Sequence, residues 1–326
     1  MPPPCGLRGH ALLESEATER QPDHLALPVT VALVVMVVWG GTAVFTKIAT
    51  GQMDPLLVGI LRTVLGGCLA LPIALVTRQK LPGGTRERRL LAFSGFAAFI
   101  AFPLVFAYGQ DLTSAVHGAL IFATLPVLTS LFGTIVERRR VSVAWIAGCV
   151  IAVAGTAVVI LWRGSGASDD SSVVGDLLVL AASVVCAMGY VVGARLSQRG
   201  YAAVPTTLWG ISFSAVVLLP LLAWSLASGG VPEADAAAWG SILALATLVS
   251  VLGYIGWYWA LAKGGISRIA STQFTEPLFG VALAAIVLGE RPAPVTLLGA
   301  AGVLIGAWVV LRAGRPVGPQ SRRARR

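Results

Sequence analysis

The sequence predicts an all-α polytopic membrane protein, with ten transmembrane helices arranged as two inverted five-helix repeats. Ten apolar stretches of about twenty residues run through the chain, basic residues crowd into alternate loops, and the second half repeats the first at a fixed spacing. A run of that length crosses the ~30 Å hydrocarbon core at ~1.5 Å rise per residue. Lipid offers the backbone no hydrogen-bond partners, so only helices or closed barrels cross it, and these runs are too long for barrel strands. Composition agrees: 56% of residues are hydrophobic, 12% are charged and the mean hydropathy is +0.82. A soluble domain carries roughly 25% charge.

In chain order, residues 1–27 are Pro-rich and mixed in charge (Glu14, Glu16, Glu19, Arg20, Asp23). They lack the basic start and apolar centre of a signal peptide, so a disordered cytoplasmic tail is expected. The first repeat, 28–162, holds apolar segments at 28–50, 55–77, 89–109, 113–136 and 142–162. The second repeat, 174–312, holds segments at 174–195, 204–226, 238–261, 267–289 and 294–312. Residues 313–326 end in Arg322-Arg323-Ala324-Arg325-Arg326, a basic tail suited to an anionic leaflet. The four cysteines (Cys5, Cys68, Cys149, Cys186) have neither metal-ligand spacing nor the pattern of a disulfide framework.

The net charge of +9 resembles a nucleic-acid footprint until the positions are read. Twenty of the 24 Lys and Arg lie in the two tails and the even-numbered loops. The odd-numbered loops hold only Arg163 and Arg291, beside Asp54, Asp111, Asp169, Asp170, Glu233, Asp235 and Glu290. The positive-inside rule then expects both termini in the cytoplasm and no nucleic-acid partner.

A shift of 151 residues lays Thr124-Leu125-Pro126 on Thr275-Glu276-Pro277, Arg140 on Arg291, Gly148 on Gly299 and Gly155 on Gly306. Unrelated apolar helices match often at Ala, Leu and Val but rarely at Pro and Gly in one ungapped register. Five helices per copy is an odd number, so the copies sit upside down relative to each other. Arg139 in the first copy falls on Glu290 in the second, the sign change that opposite orientation asks for. Inverted repeats are a transporter architecture, because exchanging the two halves' conformations opens one central site to either side.

Trp39-Gly40 in the first segment, Arg62 in the second, Pro126 in the fourth, Glu276-Pro277 in the ninth and Gly289-Glu290-Arg291 after it resemble the ten-helix EamA-type transporters of the drug/metabolite transporter superfamily. The resemblance covers nearly the whole chain, from Pro28 to Arg312. It implies a plasma-membrane exporter of amino acids, other metabolites or drugs. Arg139 departs from the family, which often has Glu there; the loop's place on the basic side accounts for it.

Ionisable groups deep in lipid are costly and each needs a reason. Glu276 lies about nine residues into its segment, ~13 Å deep and near the midplane. Pro277 removes a backbone donor beside it, and Ser271, Thr272, Thr275 and Phe279 share much of its face. It either binds substrate or a proton, or is tied to a neighbouring helix. Arg62 lies ~10 Å deep and suits a substrate carboxylate, an ion pair with Glu276, or an outward-reaching stem. Lys47 sits within a turn of its helix end, where reaching out to the interface is the simpler account. His117 shares a stripe with Thr113 and Thr124 and reads as a packing residue or a proton relay.

Stripes mark candidate cavity walls. Trp39, Thr42, Thr46 and Thr50 share one face of the first helix, and Phe99, Phe102, Phe106 and Gln110 one face of the third. Tyr254, Trp257 and Tyr258 form an aromatic wall on the eighth, suited to stacking or cation–π contact. Interface belts and ordinary packing use the same residue types. Gly148, Ala152, Gly155, Gly302 and Gly306 are close-packing patterns rather than substrate contacts. Pro126 and Pro277 are candidate hinges.

An intramembrane serine protease needs a Ser–His pair, and His117 is the one histidine inside a predicted helix. A metalloenzyme needs clustered ligands and an ATP-driven pump a Walker loop, and the sequence has neither. The expected function is secondary transport of a small zwitterion or drug, with no cofactor or metal and no enzymatic activity. The alternative is a non-transporting scaffold or receptor-like membrane protein. Expected partners are a small-molecule substrate and the lipid bilayer, with protons and a second copy of the chain left open.

Overall fold

The computed structural model describes residues 23–138, 140–162, 171–264, 269 and 271–313. The expected tails fall largely outside these residues, as do Arg139, Arg163, Asp169, Asp170, Ser267 and Arg268; the first helix begins at Asp23, inside the stretch expected as tail. The described residues are mostly helical, and none of them forms a strand. We label its long elements α1 (Ala26–Thr50), α2 (Pro55–Val76), α3 (Thr85–Asp111), α4 (Ala115–Glu137), α5 (Val143–Leu161), α6 (Val173–Gln198), α7 (Ala203–Gly229), α8 (Ala236–Leu261), α9 (Thr272–Val287) and α10 (Pro294–Ala313). Among the described residues nine of these are long and apolar enough to cross a membrane, and α9 is apolar but shorter.

Local chemistry sets the starts. Asp54 accepts from the backbone N–H groups of Leu56 and Leu57, with Pro55 placed where a helix needs no donor. Ser114, Ser142, Ser172 and Asp235 cap α4, α5, α6 and α8 in the same way. Large apolar side chains such as Val153, Val216, Ile286 and Leu298 point outward, as a helix surface facing lipid requires.

The 151-residue register reappears in the irregularities of the helices. α3 contains a π-helical stretch at Phe96–Ala101 and α8 one at Leu245–Leu252, equivalent places in the two copies. α4 breaks at Ala123–Thr124, just before Pro126. α9 begins as a 3-10 turn, Ser271–Thr275, just before Glu276-Pro277. Proline lacks the donor that would continue the preceding turn, so both copies interrupt at the same point.

The copies meet reciprocally. A Cβ on Gly148 would lie 2.9 Å from the Gly306 carbonyl oxygen, and one on Gly155 would lie 2.6 Å from that of Gly299. The register turns the first pair into the second, so α5 and α10 run antiparallel about a pseudo-two-fold axis. That seam gives the inverted relation of the halves a physical form. α2 packs on α7 at a second close seam, where Gly67 faces Ala215. Each copy also lends its first helix to the other: α1 packs on α8 and α9, and α6 on α3 and α4.

Loop contacts define two faces. Arg195 donates to the Val136 carbonyl, Arg199 pairs with Glu87 at 2.9 Å, and Tyr201 donates to the Lys80 carbonyl, gathering one basic face. Burial pushes the Tyr201 phenol up to about 12. Gln52 accepts from the Asp235 N–H, and Lys47 donates to the Asp111 carbonyl on the opposite, acidic face.

Candidate functional site

Helices α1, α2, α3, α4, α6, α8 and α9 converge on a cavity of about 30 Å³. Its polar groups are Glu276, Arg62, Thr42, Gln273 and the tyrosines Tyr190 and Tyr254, with Trp39 beside them. Phe102, Phe122, Leu125 and Val249 complete the wall.

Glu276 arrives at the cavity because the 3-10 turn Ser271–Thr275 gives way to α-helix at that residue. Its own backbone is held by α1: a Cβ on Gly40 would sit 2.8 Å from the Glu276 carbonyl oxygen and 2.8 Å from the Gly280 nitrogen. Only glycine at position 40 lets the two helices approach so closely. The Trp39-Gly40 pair thus has two tasks. Gly40 admits α9, while Trp39 turns to α8, where its Nε1 donates to the Val249 carbonyl at 3.2 Å. That carbonyl belongs to the π-helical stretch, where widened turns leave carbonyl oxygens available to side chains. In α3 the matching stretch offers its Phe99 carbonyl to Thr63 Oγ1 at 2.7 Å.

Arg62 is buried on α2. Its Nε donates to Ser250 Oγ at 3.1 Å, and the guanidinium lies 5.4 Å from the centre of the Phe102 ring. Between the described side chains of Arg62 and Glu276 there is neither hydrogen bond nor ion pair, although both line the cavity. An acid and a base thus line one small space without joining each other.

Tyr190 and Tyr254 exchange a hydroxyl hydrogen bond of 2.6 Å between α6 and α8. Trp39 stacks obliquely on Tyr254 and on Trp257, at 5.2 and 5.7 Å between ring centres. Beyond these rings lies a vestibule of about 1120 Å³ that shares Trp39, Tyr190, Tyr254 and Gln273 with the small cavity. It runs past Trp257, Tyr258 and Thr207 to Ser197 and Gln198 at the basic face. The acidic end is shut. Glu290 accepts from the N–H groups of Ala115 and Val116 at the start of α4, at 2.9 and 2.8 Å. Asp176 accepts from Thr113 Oγ1 and lies 3.0 Å from His117 Nδ1.

Of the residues singled out in the sequence, Glu276, Arg62, Trp39, Thr42 and Tyr254 meet at the small cavity, and Trp257 and Tyr258 line the vestibule. Lys47 and His117 line neither; they sit in the bonds that shut the acidic end. Thr272 donates to the Ile269 carbonyl within its own turn, outside both spaces. Tyr190, Gln273, Ser250 and Asp176 went unnoticed in the sequence. Tyr190 is the repeat counterpart of Trp39, and Gln273 lies one turn before Glu276, so both were open to detection. Asp176 is a fully buried carboxylate in the first turn of α6. Among the described residues no group of three or more His, Cys, Asp or Glu could hold a metal ion.

The sequence profile of the EamA-like transporter family matches residues 26–161 and again 173–312. The chain is 32% identical over 267 residues to the uncharacterized transporter YdeK of Bacillus subtilis, covering 78% of this chain and 87% of that protein. It is 30% identical over 288 residues to a probable amino-acid metabolite efflux pump of Salmonella typhimurium, covering 85% and 92%. A probable terminal-alkyne amino-acid exporter of Streptantibioticus cattleyicolor is 27% identical over 227 residues, covering 70% and 74%. A crystal structure sharing 19% identity superposes with a TM-score of 0.59, covering 92% of this chain and 99% of the other, and shares the fold.

Proposed function

Because the chain belongs to the EamA-like transporter family, and two relatives are named a probable amino-acid metabolite efflux pump and a probable terminal-alkyne amino-acid exporter, we propose that it exports an amino acid, a related zwitterion or a drug across the plasma membrane by alternating access. The observation that carries this reading is that Glu276 and Arg62, an acid and a base, line one cavity without joining each other. A zwitterion answers both: its ammonium group meets Glu276 and its carboxylate meets Arg62. Trp39, Tyr190 and Tyr254 supply flat surfaces for an apolar or aromatic side group.

The bias of basic residues supports a vestibule whose mouth faces the cytoplasm, with both termini on that side. In that orientation the arrangement is an inward-open state, ready to take solute from the cell. Names of relatives as efflux pump and exporter support the outward direction. Glu276 is also the group placed to take up a proton in exchange for solute. The test is counterflow of a panel of radiolabelled amino acids and cationic dyes in proteoliposomes, with and without a pH gradient. Accumulation above that of protein-free vesicles, lost on Glu276→Gln, is the expected result. If no solute in the panel depends on Glu276, the scaffold reading takes its place.

A further inference from the structure

Resting on the reading of Arg62 as the partner of a solute carboxylate, we propose that Ser250 is a positioning residue: it occupies the side edge of the Arg62 guanidinium, so that the terminal Nη1–Nη2 fork is left for a planar carboxylate. A guanidinium can grip a carboxylate along its end, through Nη1 and Nη2, or along its side, through Nε and one Nη. The Nε–H of Arg62 is already given to Ser250 Oγ at 3.1 Å, which takes the side edge. Among the described residues the guanidinium makes no other hydrogen bond, although Arg62 is only 7% exposed. Its terminal nitrogens are not sealed in either. The fully enclosed side-chain atoms without a partner belong, among the described residues, to Gln110, Trp209 and Ser214. The open donors therefore keep access to the cavity that Arg62 lines.

Packing between α2 and α8 brings Ser250 to this place. Gly66 follows Arg62 by one turn on the same face of α2. A Cβ there would lie 3.3 Å from the Ala246 carbonyl oxygen and 3.9 Å from the Ser250 Cβ, so the missing side chain lets the π-helical stretch Leu245–Leu252 settle onto α2. Thr63, next to Arg62, donates to the Phe99 carbonyl of the other π-helical stretch at 2.7 Å. Consecutive residues of α2 are thus fixed to both stretches. The Phe102 ring, 5.4 Å from the guanidinium carbon, adds a contact with the group beside its bonded edge.

The chemistry of the partner matters as much as its place. A carboxylate at position 250 would pair with the guanidinium and take the charge that a solute needs to meet. A hydroxyl is a neutral acceptor: it orients the group and leaves its charge to the ligand. Arginine has many rotamers to lose, and holding it before the ligand arrives removes that cost from binding. End-on, two parallel N–H groups then match the two oxygens of a carboxylate, a match that a single spherical anion or a neutral amide lacks.

The experiment follows the modification of Arg62 by phenylglyoxal, which closes its adduct across the two terminal guanidinium nitrogens, in the purified full chain. Mass spectrometry of the Arg62 peptide gives the rate in sodium acetate, in sodium chloride of equal ionic strength, and in chloride with acetamide. Melting curves verify that each variant is folded. In the native chain acetate should slow the reaction at least about threefold relative to chloride, and acetamide should not. Ser250→Ala should lose that protection, while Ser250→Thr, which restores a hydroxyl, should keep it. A merely structural serine would change melting without changing the acetate-to-chloride ratio. Should the bulkier threonine fail to fold, Ser250→Ala decides. An Arg62 that does not react in the native chain, acetate that protects no better than chloride, or equal protection in Ser250→Ala overturns the proposal. Acetate carries no ammonium group and is not transported for this readout. Solute flux, measured separately on the native chain, judges the transport reading, so the two failures are told apart.

Discussion

Gly148 and Gly306 touch backbone to backbone: a Cβ on the first would lie 2.9 Å from the carbonyl oxygen of the second, and one on the second 2.6 Å from that of the first. Gly155 and Gly299 repeat the arrangement one turn of the pseudo-symmetry away. The seam between α5 and α10 is thus a self-complementary contact, like that of a two-fold dimer fused into one chain. Neither helix contributes to the small cavity or the vestibule. They join the two halves away from both spaces, which the other helices line.

Enlarging this seam should cost stability without touching the cavity. We expect Gly306→Val to lose about 1–3 kcal/mol, the usual cost of forcing side-chain atoms into a close-packed contact. The measure is thermal melting of the detergent-purified protein beside Gly133→Val, whose position has open space around it. A Gly306→Val variant that melts with the native chain would show that the seam is not tight in the membrane.

Arg62 is bonded to Ser250 and faces Phe102, so neutralising Glu276 leaves its partners in place. Glu276→Gln should therefore lower flux by at least about tenfold, equal to ~1.4 kcal/mol in barrier or binding. Its melting temperature should stay within about 4 °C of the native value, a shift of ~1 kcal/mol or less. Adding Arg62→Gln should bring no recovery of stability. A marked loss of stability in the single variant, restored in the double, would instead reveal an ion pair between the two charges.

Asp235 caps α8, and the Ala238 N–H holds its carboxylate below the usual range. A depressed folded value means that the stabilisation is present above the unfolded value of about 3.9 and fades as pH falls through the folded one. The melting gap between native protein and Asp235→Ala should thus be wide at neutral pH and narrow below about pH 4. An unchanging gap would assign the cap's effect to geometry rather than charge.

The orientation can be read with reporters. A cytoplasm-active fusion at Ser197 should be active and one inserted at Glu233 inactive, because the basic residues gather on the Ser197 side. The reverse pattern would turn the open vestibule outward and with it the proposed direction of transport.

Length, charge and repetition are written along the chain, and each was legible without coordinates. Ten apolar runs give ten helices because the thickness of the bilayer fixes how long a spanning helix must be. The register of Thr124-Leu125-Pro126 on Thr275-Glu276-Pro277 gives inversion because five is odd. It also marks where both copies break, since proline interrupts a helix wherever it stands. Even the seam was visible as glycines on one face of α5 and of α10.

What the sequence alone left open is which polar group on one helix meets which on another. Arg62 and Glu276 could have paired; instead Arg62 reaches Ser250, 188 residues away. His117 shared a stripe with Thr113 and Thr124, but its partner is Asp176 on a different helix. Tyr190 enters the cavity only because α6 crosses into the first copy and meets Tyr254 of α8. Periodicity along a helix says which residues share a face, but not which face of which neighbour that face will touch. Crossing positions are set by where glycine permits backbones to approach, as Gly40 does for α9, and by the π-helical stretches of α3 and α8, whose carbonyls accept from Thr63 and Trp39. Those are properties of packing between distant segments. They decided the composition of the cavity, and the sequence decided how many helices would surround it.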